Sequence, residues 1–282
     1  ALIYRGGKLH RLMDVFRRPG AALASLRAPV GSFADKLRVG WMRAQILRSS
    51  LEAIAQRPDQ STEAYLRGRG FSEAMIDHFF RSFYGGIFLE RELQTSSRMF
   101  EFTFKMFGQG SATLPARGMG EIPRQLAASL PAGTLALNAP VARVFRDGVV
   151  LTGGVHLEAS AVLVATDVTQ AKELLPQASF EVPRWRSVTN LYFAAERSPV
   201  NEPIICLNGS GQGQVNNVCA LTDAAAAYSP DGRALLSISL LGLPKSEALV
   251  EEVRAELCQW FGDDVRGWQH LRTDTIRRAL PE

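Results

Sequence analysis

The sequence predicts an α+β protein, on three observations. Residues 1–113 place apolar side chains at helical spacing, residues 134–165 switch to short apolar runs broken by glycine turns, and residues beyond 183 form strand-length blocks followed by one amphipathic helix. The chain of 282 residues is long enough for one large domain or two smaller ones. The divisions these patterns suggest are 1–113, mainly helical; 114–182, a short helix and a β-meander; and 183–282, a mixed or antiparallel sheet with flanking helices.

In the first part, Ser32-Phe33-Ala34-Asp35 has the order of a capping box, the serine hydroxyl accepting from the amide three residues on. The helix it starts carries Phe33, Leu37, Trp41, Ala44, Leu47 and Leu51 at helical spacing and Lys36, Arg38, Arg43 and Arg48 elsewhere. That pattern predicts an apolar stripe packed on the core, with a membrane-facing helix as the alternative. Further helices are expected over Thr62–Arg67 and from Ser72, as N-cap, to a stop at Gly85-Gly86. The stretch from Arg98 to Phe107 carries Met99, Phe100, Phe102, Phe104, Met106 and Phe107 around nearly its whole circumference, so it is either core or the wall of a cavity.

Leu114-Pro115-Ala116-Arg117-Gly118-Met119-Gly120-Glu121-Ile122-Pro123 opens a short helix through Leu126 and Leu130. Strands are then expected over Thr134–Val144, Val149–Thr152, His156–Glu158 and Ala161–Ala165, with turns at Asp147-Gly148 and Gly153-Gly154. Past Pro183 the strands are Val188–Ala195, Ile204–Leu207, Val215–Leu221 and Ala234–Leu241. Leu249, Val253, Leu257 and Trp260 mark a helix closed by Gly262, and Trp268–Ala279 reads as a last extended segment.

Composition narrows the function classes. A hydrophobic share of 46% with 21% charged residues is that of a globular protein. Cys206, Cys219 and Cys258 are too scattered for a disulfide framework or a zinc site, which fits a reducing, cytoplasmic setting and no metal. No apolar run has the length of a membrane span, and the first residues lack the order of a signal peptide. The net charge of +4 is concentrated early, where Arg5, Lys8, Arg11, Arg17, Arg18, Arg27, Lys36 and Arg38 outnumber the acids. These basic residues are not interleaved with aromatics in a nucleic-acid motif, so a solvated face or peripheral contact with anionic lipid headgroups is expected rather than nucleic acid.

No catalytic residue can be nominated from pattern. His10, His78, His156 and His270 stand apart from any nucleophile or carboxylate at working spacing, and no H-E-x-x-H, G-x-S-x-G or Walker motif is present. The turn at Gly118 and Gly120 has a physical rationale as a ligand contact: glycines let backbone amides approach closely, and the helix start carries partial positive charge.

The order L-P-A-R-G-M-G-E-I-P-R-Q-L-A, then L-N-A-P-V-A-R-V, then A-V-L-V-A-T-D resembles the superfamily of flavin-containing amine oxidases, phytoene desaturases and protoporphyrinogen oxidases, and within it the bacterial NAD(P)/FAD-dependent oxidoreductases. F-F-R-S-F-Y-G-G-I-F-L upstream and I-R-R-A-L-P-E downstream are similar to the same members. The family opens with a strand running into G-x-G-x-x-G, which this sequence lacks, so the resemblance covers the family's central part. It implies FAD as cofactor, with Val141 against the adenine and Ala165 and Thr166 near the same nucleotide half. Residues 114–182 would then belong to the FAD-binding domain, while 1–113 and 183–282 would form a substrate domain in which Phe100, Phe104 and Phe107 line the pocket. The implied activity is oxidation of an amine or an apolar, unsaturable small molecule by hydride transfer to flavin. The alternative is a non-catalytic module of the same fold that binds an apolar ligand, a membrane surface or a partner protein.

Overall fold

The computed structural model describes residues 1–13, 20 and 28–282; Arg17, Arg18 and Arg27 of the basic region lie outside them. The chain forms two compact units, Ala1–Gly118 with Trp185–Leu280, and Met119–Arg184 with Pro281–Glu282.

The first unit is built on a seven-stranded mixed sheet. It contains β1 (Leu2–Arg5) and β2 (Lys8–Arg11), a hairpin whose two-residue turn, Gly6-Gly7, has positive φ at both positions. Its helices are α1 (Phe33–Arg48), α2 (Leu51–Ala55), α3 (Thr62–Gly68), α4, which runs unbroken through Glu73–Met75, a π turn at Ile76–Phe80 and Arg81–Phe88, and α5 (Ser97–Gln109). The second unit holds α6 (Glu121–Ala128), β3 (Val141–Phe145), β4 (Gly148–Leu151), β5 (His156–Glu158) and α7 (Val168–Leu174). Back in the first unit come β6 (Trp185–Ala195), β7 (Ile205–Asn208), β8 (Val215–Ala220), β9 (Ala234–Leu241), α8 (Leu249–Phe261) and β10 (Gln269–Pro281). The large sheet runs β10-β6-β9-β8-β7-β1-β2, and β3-β4-β5 make a separate antiparallel sheet. The α+β expectation therefore holds.

Strand alternation explains the two cores of the first unit. Leu191, Phe193, Leu236, Ile238 and Leu240 point to one face, where they meet Val253, Leu257 and Trp260 of α8. Ile3 and Leu207 point the other way, into a helical cluster built from Met42, Ile46, Leu66, Phe80, Tyr84 and Phe100. β1 pairs in parallel with β7, Leu2 opposite Cys206, so one short strand supplies side chains to both cores.

Four expectations are corrected. The capping box at Ser32 forms, but α1 is turned over: Phe33 (62%), Leu37 (60%) and Trp41 (66%) are exposed, and Asp35, Met42 and Ile46 are buried. The reason is local. The Asp35 carboxylate accepts from the amides of Ser32 (2.7 Å) and Ser72 (2.9 Å) and from both serine hydroxyls, tying the starts of α1 and α4 together and pulling that face inward. Second, Gly85-Gly86 does not end α4, which continues to Phe88 and stops at left-handed Leu89. These glycines serve close packing, since a Cβ on Gly86 would lie 2.7 Å from Asn216 Nδ2. Third, Thr134–Pro140 is not strand, and β3 begins only at Val141. Fourth, Ala161–Ala165 forms no ladder; Leu163 stands 90% exposed with no neighbouring strand to complete its hydrogen bonds.

No helix among the described residues is long and apolar enough to cross a membrane. None of their His, Cys, Asp and Glu side chains cluster in a way that could hold a metal ion.

Candidate functional site

The residues singled out in the sequence fall into two groups, one in each unit. In the second unit, Val141 opens β3 half-buried, opposite Leu151, and a bulge follows between Val141 and Arg143. Ala165 and Thr166 are exposed on the loop that enters α7. Asp167 caps that helix, accepting from the amides of Thr169 (2.9 Å) and Gln170 (3.1 Å). Because α7 packs on β3, the loop and the strand belong to neighbouring elements.

Gly118 and Gly120 flank the start of α6. Gly118 has φ +92° and open space around its α carbon, a conformation that favours glycine. Its amide donates to the Pro115 carbonyl at 3.0 Å. Gly120 is the N-cap of α6 and supplies no side chain, so the first amides of the helix lack a side-chain acceptor of that kind. The apolar residues around this start, Met119, Ile122 and Leu126, are exposed.

In the first unit the three aromatic residues of α5 separate. Phe100 is fully buried, ringed by Tyr65, Phe80, Tyr84 and Phe104. It is a core residue and does not line an open wall, as the sequence had suggested, because the helix turns its single strongest core position toward the other aromatics. Phe104 is half-buried and Phe107 is 41% exposed, its ring tilted against that of Phe83 at 5.4 Å. Met99 and Phe102 are also exposed, whereas Glu101 and Lys105 are buried. Glu101 accepts from the Tyr65 hydroxyl and from Arg57 (2.5 Å), and Lys105 donates to the Leu47 carbonyl at 2.9 Å. Burial, then the hydrogen bond to Glu101, pushes the Tyr65 phenol above its ordinary range. Charge pairing inside thus leaves an apolar surface outside.

The sheet carries a group of side chains that sequence reasoning missed. On the face opposite α8, Asn190 of β6 accepts from Ser237 (3.1 Å) and Ser239 (2.8 Å) of β9, and in register across β8 stand Asn217 and Cys219. All five are half-exposed. Burial, then the charge of Asp223, holds the Cys219 thiol above its usual range. This polar ladder on a rigid sheet can orient a small molecule through hydrogen bonds; no proton-transfer group stands in it. The available signal was the alternation in Ala-Leu-Leu-Ser-Ile-Ser-Leu-Leu, which sequence reading takes for an ordinary solvent side.

Comparison with known proteins adds the family. Residues 1–278 match the family model described as flavin containing amine oxidoreductase. No protein of curated function matches the chain. Among solved structures, the fold is similar to an oxidoreductase from Methanosarcina mazei (16% identity, TM-score 0.70, covering 86% of this chain and 61% of that one). It is similar also to a protein from Pyrococcus furiosus (13%, TM-score 0.62, 87% and 65%) and to reduced UDP-galactopyranose mutase (12%, TM-score 0.53, 88% and 61%). The chain spans less than two thirds of the length of each.

Proposed function

The chain belongs to the flavin containing amine oxidoreductases, and on that premise we propose that it is the central part of an FAD-dependent enzyme that oxidises an amine or an apolar, unsaturable small molecule. The observation that carries this reading is the family match over residues 1–278.

The residues present fit one part of the cofactor. A half-buried valine at a strand start and exposed apolar surface around Leu137 and Leu163 suit the flat, mainly apolar adenine. The second unit offers no strand running into a glycine-rich turn and a helix, so the pyrophosphate cradle of such enzymes is not found in these residues. When bound, flavin supplies the acceptor for a hydride and so the hard part of the chemistry. In this reading the first unit does the rest: Asn190, Ser237 and Ser239 orient the substrate, and Phe104 and Phe107 exclude water. The exposed stripe of Phe33, Leu37 and Trp41, with Arg38 and Arg48 beside it and no exposed acid on α1, supports peripheral contact with anionic lipid. Trp41→Glu should then abolish sedimentation with phosphatidylserine vesicles, and unchanged sedimentation would remove that contact.

The test is titration of the intact protein with FAD, followed by flavin fluorescence and by reduction with candidate amines. Quenched fluorescence that Val141→Asp weakens, together with substrate-dependent bleaching, is the expected result. Protein that stays colourless and leaves the fluorescence unchanged would instead support a non-catalytic module of the same fold.

A further inference from the structure

A cleft of about 300 Å³ opens in the first unit where the turn between β7 and β8 meets the π turn of α4. It is lined by Asp77, His78, Arg81, Arg91, Ser210 and Gly211, together with parts of β7 and β8, and shares no residue with the Asn190 ladder. A π turn inserts one residue into the helical repeat and redirects the side chains it carries, a device common at ligand sites. Here it carries Asp77 and His78.

Each wall is fixed in advance. The turn reads Asn208-Gly209-Ser210-Gly211-Gln212-Gly213, with positive φ at Gly211 and Gly213. Asn208 locks it, donating to the carbonyls of Gln212 (2.7 Å) and Val215 (2.8 Å) and accepting from the Ser210 amide and hydroxyl. Beneath it, Glu256 of α8 accepts from the amides of Gln214 and Val215; burial raises its pKa, and the charge of Arg91 pulls it down. The Gly209 carbonyl lies 2.8 Å from His78 Nδ1, and a carbonyl can only accept, so Nδ1 carries the proton and Nε2 is the free ring atom.

Two guanidiniums give the cleft its charge. Arg81 donates to Asp77 (2.8 Å), to the Arg91 carbonyl (2.7 Å) and to Glu63 (2.6 Å), so it is held rigidly and its charge is offset by the two carboxylates. A guanidinium has about five N–H donors, and these three bonds leave about two of them for a ligand. Arg91 is exposed, and no carboxylate among the described residues lies within ion-pair distance of its side chain. Among the residues that line the cleft, Arg81 and Arg91 outnumber the one carboxylate, Asp77, which is already bound to Arg81, while Glu256 beneath the turn senses the charge of Arg91.

We propose that this cleft binds a small oxyanion, a phosphate or carboxylate group, held by the Arg91 fork and the remaining donors of Arg81, with the His78 ring and Gly211 backbone forming the opposite wall. Pairing of a planar fork with two oxygens is the strong, directional interaction that such a site needs. A cation is disfavoured by both arginines.

The experiment follows the imidazole signals of the intact protein by NMR, with His78 assigned from His78→Gln, during titration with inorganic phosphate and separately with acetate, at ionic strength held constant with chloride. Saturable movement of the His78 signals with phosphate, acetate or both is expected, and which salt saturates identifies the oxyanion. Arg91→Gln, an exposed position that leaves both cores untouched, should weaken that response by roughly tenfold or more. Equal affinity in Arg91→Gln and the parent protein, or a linear response no different from that to chloride, would overturn the site.

Discussion

The two units use the same alternating and periodic patterns with opposite results. In the first, two cores form: Phe193, Leu236, Ile238, Phe80 and Phe100 have essentially no exposure, although α1 and α5 leave some apolar residues outside. In the second, no hydrophobic side chain of 119–184 is buried, and Leu126, Leu137 and Leu163 are each more than half exposed. Three short strands and two short helices cannot enclose a core by themselves, because a small unit buries too little of its surface to offset chain entropy. The lesson is that apolar patterning fixes which side of an element wants cover, while only a second layer can provide it. In the second unit that cover has to come from a ligand or from other polypeptide.

The contrast can be broken or sharpened by experiment. Its largest expression should be in amide exchange: β6, β8 and β9 should exchange only on global unfolding, and β3–β5 by local opening orders of magnitude faster. Equal protection in both sheets would remove the distinction, whereas selective slowing of β3–β5 by FAD would identify the missing cover. Next in size, Phe193→Ala should cost about 3–5 kcal/mol in denaturant unfolding, against less than about 0.5 kcal/mol for Leu163→Ala.

Asp35→Asn comes third, at roughly 1–3 kcal/mol, because it takes a charged acceptor from four donors at two helix starts. Burial raises the Asp35 pKa, but the hydrogen bonds from Ser72 and Ser32 outweigh it and hold the group at about 2, below its ordinary 3.8. A depressed folded-state value stabilises above the unfolded pKa and is lost as pH falls through the folded one. Stability of the parent protein should therefore decline between about pH 4 and pH 2, by about 2 kcal/mol from this group. The Asn variant should lack that component in acid titration. Of the same size, Gly86→Ala should cost about 1–3 kcal/mol by pressing a methyl against Asn216 and Asn217. A variant as stable as the parent would show that the amides can move aside.

How much of this was legible follows the same division. The sheet strands β7, β8 and β9 and the helix α8 are readable within a residue or two, because a second layer enforces the pattern of each, whereas β6 begins three residues earlier than expected, at Trp185. The runs at Thr134–Pro140 and Ala161–Ala165 have strand composition and no partner to pair with. The hairpin at Leu2–Arg11 escaped notice although Gly6-Gly7 is a strong signal for its turn, since each arm is only four residues long. α1 was read inside out because periodicity weighs side chains by hydrophobicity and cannot foresee a carboxylate captured by two helix starts. The Asn190 ladder and the His78 cleft assemble residues distant in the chain, and no spacing rule reports that.

The parallel pairing of β1 with β7 has a consequence for how the first unit fails. Tyr4 stacks on Trp260 at 4.8 Å while its neighbour Ile3 reaches into the helical cluster, so four residues act as a rivet through two plates. Heat or denaturant cannot peel one plate away without drawing the rivet from the other. Melting should therefore be a single event, and its reversal must wait until segments about two hundred positions apart along the backbone find one another.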